Sequence, residues 1–177
     1  MRSVMLCDAK GLPLKGASIE EAHRGNGKLH LAFSIFVFND DHTKVLLQKR
    51  SSEKLLFDGL WGNTCCSHPQ KGELIEDAAR KRLKEECGFT CDLTPLGSFV
   101  YQANDPHGKG GEHEYDTVLI GKVEQDIETH PDPTEIEELK WMSIDTLQSD
   151  LAANPDRYGP WLKPALDIVL RSAHGTD

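Results

Sequence analysis

The sequence predicts a single α/β domain built on a mixed β-sheet. Two stretches carry this prediction. Residues 30–38 are apolar on both faces, as in a central strand, and residues 73–87 repeat apolar side chains at helical spacing. The remaining periodic segments follow in the order strands, helix, strands, helices, which is typical of one α/β layer arrangement. A chain of 177 residues is expected to form one domain, which we take as residues 1–177.

Composition narrows the classes of partner. A net charge of −9 argues against nucleic acid, and no apolar run approaches the ~20 residues that span a membrane. A small anionic substrate would therefore need a local basic cluster or a metal ion. The five cysteines are odd in number and irregularly spaced, so no disulfide framework is expected. Because no secretion signal is evident either, we expect a cytoplasmic protein. The sequence does not indicate its oligomeric state.

The N-terminal third contains the strongest strand signal. Residues 4–6 predict a short strand, and Ser18 is a suitable cap for a short helix that reaches His23. Residues 30–38 and 44–50 then predict a hairpin joined by a polar turn. Basic residues gather at the end of the second strand and shortly after it, where they either bind an anion or form an ordinary charged loop; they are Lys49, Arg50 and Lys54.

Residues 61–90 concentrate reactive side chains. A predicted loop carries Cys66 and His68, and a helix over 73–87 follows, with Gly88 as its left-handed C′ residue. At helical spacing, Arg82 and Glu86 lie on the apolar side of this helix, where charges are rarely buried without a reason. They form either a simple i,i+4 ion pair or part of a ligand site.

The second half predicts strands over 96–102, 115–123 and 139–142, and helices over 145–153 and from Pro160 to 172. A glycine-rich loop separates the first two strands. Just before the second of them, Glu112 and Glu114 would project from the same face if that segment is extended. Carboxylates arranged in this way are typical of metal ligands, although acidic residues near strand ends are common.

Two sets of side chains have the chemistry of a functional site. Three imidazoles and two carboxylates offer nitrogen and oxygen donors for a divalent ion such as Mg²⁺, Mn²⁺ or Zn²⁺; they are His23, His30, His68, Glu112 and Glu114. Cys66, two residues from His68, is either a reactive thiol or a small buried side chain. Each residue alone is unremarkable.

Residues 67–89 resemble a degenerate Nudix box, normally Gly-x5-Glu-x7-Arg-Glu-U-x-Glu-Glu-x-Gly-U with U aliphatic. Ser67 stands at the leading glycine, and Lys81-Arg82 stands where the Arg-Glu pair belongs. A carboxylate that Nudix hydrolases use for Mg²⁺ is thereby replaced by a cation. This exchange should weaken metal-assisted hydrolysis of a diphosphate and strengthen plain binding of it.

The flanking segments resemble type I isopentenyl diphosphate isomerases over roughly residues 20–165. The similar segments are 28–34, 61–69, 101–103, 112–114 and 158–161. The resemblance implies a Nudix-type mixed β-sheet sandwiched between α-helices. It also implies a reversible interconversion of isopentenyl and dimethylallyl diphosphate, a reaction of isoprenoid biosynthesis, with a small-molecule substrate.

The same resemblance implies a role for each candidate residue. The five His and Glu side chains would hold one divalent metal, Mn²⁺, Mg²⁺ or Zn²⁺. Cys66 would be the catalytic thiol and Glu114 the opposing acid/base, with Tyr101 beside it. The remaining expected contacts are Arg50, Lys54 and Arg82 to the diphosphate, Glu86 to a Mg²⁺ bridged by the substrate, and Trp161 over the reacting carbon.

Two alternatives remain at this point. A Nudix pyrophosphohydrolase would release phosphate from nucleotide-like substrates, although Arg82 argues against it. A non-enzymatic metal-binding module would use the same His, Glu and Cys residues only to stabilise its fold. Conversion between the two five-carbon diphosphates separates the isomerase from both.

Overall fold

A computed structural model describes residues 3–174, where one nine-stranded sheet is flanked by four α-helices. The strands are β1 Ser3–Cys7, β2 Pro13–Ser18, β3 His30–Phe38, β4 Lys44–Arg50, β5 Trp61–Gly62, β6 Cys65–Ser67, β7 Leu93–Asn104, β8 Gly111–Lys122 and β9 Ile136–Ser143. The helices are α1 Ile19–His23, α2 Ile75–Cys87, α3 Ile144–Ala153 and α4 Leu162–His174. In this part of the chain, no helix is both long and apolar enough to cross a membrane.

Strand β3 is the centre of the sheet. It pairs in parallel with β8 along its whole length, so that His30 lies opposite Glu114. Its other edge is shared by three antiparallel partners, β1, β6 and β4. The mixed sheet predicted from the sequence is therefore confirmed, and the register of β3 against β8 brings a histidine beside a carboxylate.

Alternate side chains of β3 enter two cores on opposite faces of the sheet. Phe33 and Ile35 pack in a cluster with Leu83 of α2. On the other face, Phe36 packs in a cluster with Leu166 of α4. The sheet is thus sandwiched between helices, as the resemblance implies.

The predicted hairpin of β3 and β4 is largely wrong. The two strands meet only where Phe38 lies opposite Val45, and β4 pairs with β9 from Lys44 to Arg50. The reason is that β6 occupies the same edge of β3 at residues 33–35. Two adjacent apolar strands predict a hairpin locally, but competition for one sheet edge overrides it.

Residues 65–67 were expected in a loop and instead form strand β6, in which Cys66 lies opposite Ser34. A three-residue strand is too short to show periodicity in the sequence. Strand β2 was also missed, because five of its six residues point largely to solvent or lie half-exposed and only Ala17 is buried. Strands β2 and β6 are both recognised by the strand they pair with, because neither has an alternating pattern of its own.

Element boundaries differ from the prediction by small steps with local causes. Helix α2 begins at Ile75 rather than 73, because the Glu73 carboxylate accepts a hydrogen bond from the Gln70 backbone N–H and closes the preceding turn. Gly88 adopts the expected left-handed conformation at φ 83°. Residues 112–114 lie within β8 rather than before it, and α4 begins at Leu162, two residues after Pro160.

Candidate active site

Five side chains from four parts of the chain converge at one end of a cavity of about 360 Å³. Their candidate ligand atoms all lie within 4.8 Å of one another, a spacing that could hold a metal ion. We refer to them as the His/Glu cluster: His23 at the end of α1, His30 at the start of β3, His68 after β6, and Glu112 and Glu114 on β8. Since β8 is extended, Glu112 and Glu114 share a face, as the sequence predicts.

The imidazoles are oriented toward a common point. His30 Nδ1 lies 2.7 Å from the Lys28 carbonyl oxygen, which leaves Nε2 facing the cluster. His68 Nε2 and His30 Nε2 lie 2.9 and 3.4 Å from Glu114 Oε1. His23 Nε2 lies 3.0 Å from Glu112 Oε2, without the geometry of a hydrogen bond. Such short approaches between donor atoms are what ligands of one ion would show.

The cluster leaves buried polar atoms unsatisfied. Within residues 3–174, both ring nitrogens of His23, Nε2 of His30 and Oε2 of Glu112 are buried and make no hydrogen bond. Buried polar atoms are normally paired, so these four call for a partner of another kind. Burial lowers the pKa of His68, which favours the neutral imidazole of a metal ligand, whereas for His30 the effect of burial is outweighed by Glu114, which raises the pKa. Three nitrogens and two carboxylates with open lone pairs fit a divalent cation.

Glu114 connects the His/Glu cluster to the rest of the cavity. Burial by itself would raise the pKa of Glu114, but the hydrogen bond with His68 and the close approach of the His30 imidazole outweigh it and hold the pKa well below its usual range. The second carboxylate oxygen, Oε2, accepts a hydrogen bond of 2.5 Å from the Tyr101 hydroxyl. Burial, with Glu114 close by, raises the pKa of Tyr101 well above its usual value, so Tyr101 remains a phenol.

Cys66 lies across β3 from Glu114. Strand β6 carries the thiol along one edge of β3, and β8 carries Glu114 along the other. Burial, reinforced by the neighbouring Asp116, raises the pKa of the Cys66 thiol, which is therefore neutral. The cavity thus contains a protonated thiol and an ionised carboxylate with a phenol bound to it.

An apolar wall lies beside the thiol. Trp161 is buried, with its ring centroid 5.7 Å from Phe57 and 6.4 Å from Tyr101. Leu56 and Cys66 belong to the same cluster. The wall is therefore aromatic and aliphatic around the point where the thiol faces the cavity.

The other end of the cavity is ionic, and we refer to Arg50, Lys54, Arg82, Glu86 and Glu135 as the basic end. Arg50 donates to the carbonyl oxygens of Leu56 and Phe57, at 2.8 and 3.1 Å, and lies over the Trp161 ring at 5.2 Å. Lys54 pairs with Glu135. The Arg82 guanidinium lies 2.5 Å from Glu86 and 3.5 Å from Glu135.

The structure confirms the first interpretation of Arg82 and Glu86, an i,i+4 ion pair, whereas the ligand site stays a prediction. The two side chains form the i,i+4 ion pair, and Arg82 also lines the cavity. Glu86 is 3% exposed and lies behind Arg82; its burial raises its pKa, against the opposing charge of Arg82. His30, fully buried behind Glu114, likewise does not border the cavity, whereas the other ten candidate residues do.

Two acidic residues of this region were missed. Glu135 is buried beside Lys54 and Arg82, yet in the sequence it only follows a Pro-rich turn that carries no signal. Asp116, 1% exposed, accepts a hydrogen bond of 2.7 Å from Ser34. It continues the same-face series of Glu112 and Glu114, so the alternation of β8 could have identified it.

Comparison with known proteins identifies the class first. The family model described as NUDIX domain matches residues 28–162. A Deinococcus radiodurans protein of solved structure is similar with a TM-score of 0.73 and 19% identity, covering 94% of this chain and 99% of that one. A MutT NUDIX hydrolase from Burkholderia pseudomallei is similar with a TM-score of 0.62 and 22% identity, covering 80% and 98%. The matched NUDIX domain therefore includes helix α2 and all of the cavity-lining candidate residues except His23.

Sequence relatives are more specific. A protein of Nocardia farcinica named isopentenyl-diphosphate Delta-isomerase is 46% identical over 166 residues, which is 94% of this chain and 93% of that protein. A protein of the same name from Halorhodospira halophila is 42% identical and covers 92% of each chain. The chain belongs to the isopentenyl-diphosphate Delta-isomerase family of NUDIX domain proteins, which confirms the family resemblance noted in the sequence.

Proposed function

We propose that the protein interconverts isopentenyl diphosphate and dimethylallyl diphosphate, as a step of isoprenoid biosynthesis. One observation carries the proposal: a neutral thiol and an ionised carboxylate, Cys66 and Glu114, flank β3 at one end of a cavity whose other end is cationic. Moving the double bond requires one proton to be added at the terminal methylene carbon and one to be removed from the carbon next to the diphosphate-bearing methylene. Two proton-transfer groups and an anion site are what that change needs.

The proton transfers are assigned to Cys66 and to Glu114 with Tyr101. An alkene is a weak base, and its protonation develops positive charge at the tertiary carbon. A donor on one side with a base on the other avoids a free cation. One of the two groups donates as the other accepts, and their roles exchange in the reverse direction. The 2.5 Å hydrogen bond between Tyr101 and Glu114 places a phenol proton at the carboxylate.

Trp161 and its neighbours provide the environment for the charge that develops. A cation over an indole face is stabilised by roughly 0.5–2 kcal/mol, more where water is excluded. Leu56 and Phe57 pack in the same cluster as Trp161 and close this wall. Exclusion of water also matters because water would capture the cation.

Arg50, Lys54 and Arg82 are assigned to the diphosphate. The basic end also contains two buried carboxylates, Glu86 and Glu135, which would repel an anionic substrate. A Mg²⁺ ion brought by the diphosphate would offset this repulsion, and Glu86 would be its ligand from this chain. The diphosphate then supplies binding energy remote from the reacting carbons. It is not hydrolysed, and it remains part of the product.

The His/Glu cluster is assigned to one divalent metal, Mn²⁺, Mg²⁺ or Zn²⁺. The unsatisfied atoms of His23, His30 and Glu112 support this assignment. When bound, such an ion fixes the position of Glu114 and tunes its acidity. The five thiols, all free, support action in a reducing cytoplasm.

The deciding experiment is an assay with labelled isopentenyl diphosphate and the metal-loaded protein. We expect dimethylallyl diphosphate to form and the reverse reaction to occur, without release of inorganic phosphate. Phosphate release from nucleoside diphosphate derivatives, with no conversion of the five-carbon substrates, would establish the hydrolase instead. A metal-dependent stability with no turnover of either kind would leave only the metal-binding module.

A further inference from the structure

Asn63 makes a complete set of hydrogen bonds beside the thiol. It is fully buried between β5 and β6. Its Nδ2 donates to the carbonyl oxygens of Ile35 and Cys65, at 3.0 and 3.1 Å. Its Oδ1 accepts from Cys66 Sγ at 2.9 Å and from Trp161 Nε1 at 3.0 Å. A primary amide has two N–H donors and two acceptor lone pairs, so each is used once.

The orientation of this amide follows from its partners. Both groups beside Nδ2 are backbone carbonyls, which only accept, and the indole N–H beside Oδ1 only donates. A flipped amide would bring an N–H against the Trp161 N–H and an oxygen against two carbonyl oxygens. The single oxygen is therefore directed at the thiol and the indole together.

Trp161 is held from both directions. Its ring packs so closely on two glycines that an added Cβ would lie 3.4 Å from it at Gly62 and 2.3 Å at Gly159. These contacts fix the ring plane, and Asn63 fixes the N–H edge. The distance between the Trp161 ring and the Cys66 thiol therefore depends on one amide oxygen. Asn63 and Trp161, which it joins, are 98 residues apart in the sequence.

We propose that Asn63 is the positioning residue that holds the Cys66 thiol and the Trp161 ring in a fixed relation around the reacting carbons. This inference rests on the proposed isomerase function, in which thiol and ring act on adjacent carbons of one substrate. The thiol can then transfer its proton while the ring stabilises the developing charge, without either side chain moving. Misplacement of a reacting group by about 1 Å can cost about 100-fold in rate.

A purely structural amide is the competing explanation, and the neighbouring residue provides the control. Thr64 is equally buried; it accepts from the Val37 N–H at 2.9 Å and donates to the Leu46 carbonyl at 2.6 Å. It therefore links β3 to β4 in the same way that Asn63 links β3 to β6, but its side chain bonds only to backbone groups and contacts neither Cys66 nor Trp161 through a hydrogen bond. Thr64→Val should lower thermal stability and leave catalysis nearly intact.

The first test compares Asn63→Ala with Thr64→Val in the metal-loaded protein. For Asn63→Ala we expect kcat to fall about 100-fold and KM to stay within about threefold, because the diphosphate contacts are untouched. Thr64→Val should keep kcat within about threefold. If kcat of Asn63→Ala falls no further than that of Thr64→Val, Asn63 is only structural.

The second test measures coupling. Trp161→Phe keeps an aromatic face and loses the N–H that Asn63 accepts. If one oxygen holds both groups, the kcat losses of Asn63→Ala and Trp161→Phe should combine to about fivefold less than their product. Losses that simply multiply would refute the proposal. Should Asn63→Ala fail to fold, Asn63→Leu, which has nearly the same shape and no acceptor oxygen, takes its place in both tests.

These outcomes are separable from a failure of the proposed function. An unaltered protein that does not convert isopentenyl diphosphate would remove the isomerase assignment itself. If the protein is active and Asn63→Ala leaves kcat unchanged, only the positioning role of Asn63 is refuted.

Discussion

The two ends of the cavity satisfy their polar groups differently. In the His/Glu cluster, four buried atoms of His23, His30 and Glu112 make no hydrogen bond within the described residues. At the basic end, Lys54 pairs with Glu135, and Arg82 pairs with Glu86 and Glu135. The first end is arranged to receive a cation. The second carries its own countercharges, which an entering diphosphate must displace or bridge.

This difference predicts different sensitivities. An unpaired buried polar group costs about 1–3 kcal/mol, so several of them in one place depend strongly on the ion that would satisfy them. Lys54, Arg82 and Glu135 at the basic end border the cavity, so they keep access to solvent when one partner is lost. Changes at the His/Glu cluster should therefore abolish function, whereas changes at the basic end should weaken substrate binding in graded steps.

The largest effect is expected from removal of the metal. Exhaustive chelation should reduce turnover to background and lower the melting temperature, because the cluster is left with unsatisfied buried atoms. Mg²⁺ or Mn²⁺ should restore both, as measured by the isomerase assay and thermal denaturation after elemental analysis. Full activity in protein shown to be metal-free would refute the metal's role.

Cys66→Ala should have the second-largest effect. We expect kcat to fall about 100- to 10,000-fold, which is the contribution of a general acid–base group. Metal content should not change, because Cys66 is not part of the His/Glu cluster. Cys65→Ala is the matched control: its side chain lies on the opposite face of β6, in the core against α2, so it should lower stability and preserve kcat. Substantial turnover by Cys66→Ala would contradict its assignment.

Elements that carry a periodic pattern of their own were predictable from the sequence. Strand β3 has the predicted bounds, and α2 ends at Cys87 with Gly88 in the left-handed conformation after it, as expected. Elements defined by their partners were not predictable. Strand β6 has three residues, and β4 follows β9 rather than β3 because β6 competes for the same edge. Local periodicity does not report that competition.

The candidate site divides in the same way. Residue chemistry and the family resemblance pointed to the His/Glu cluster, and the parallel register of β3 against β8 explains why His30 and Glu114 meet. Asn63 and Glu135 gave no signal, since one follows a short strand and the other follows a turn. Their significance depends on contacts with Trp161 and Lys54, 98 and 81 residues away, which only the folded chain provides.

At the basic end, Arg82→Glu should raise KM for isopentenyl diphosphate about 10- to 100-fold. This range corresponds to the roughly 1.5–3 kcal/mol of a hydrogen bond to a charged group. The new carboxylate would also face Glu86 and Glu135, so the melting temperature should fall. Steady-state kinetics at saturating metal provide the measurement, and an unchanged KM would remove Arg82 from the diphosphate site.

Lys81→Ala should have the smallest effect on KM. Its salt dependence shows whether the basic end binds the diphosphate through its overall charge or through directed contacts. Lys81 also borders the cavity, but its side chain is 55% exposed and its partner Glu73 lies 3.1 Å away at the surface. An exposed pair contributes about 0.2–1 kcal/mol and its charge is screened by salt, so KM should rise no more than about twofold at physiological ionic strength. A rise comparable to that of Arg82→Glu, disappearing in high salt, would mean that the diphosphate is held by the summed positive field of the region. A salt-independent difference between the two variants would mean that the diphosphate is held by directed contacts from the half-buried guanidinium of Arg82.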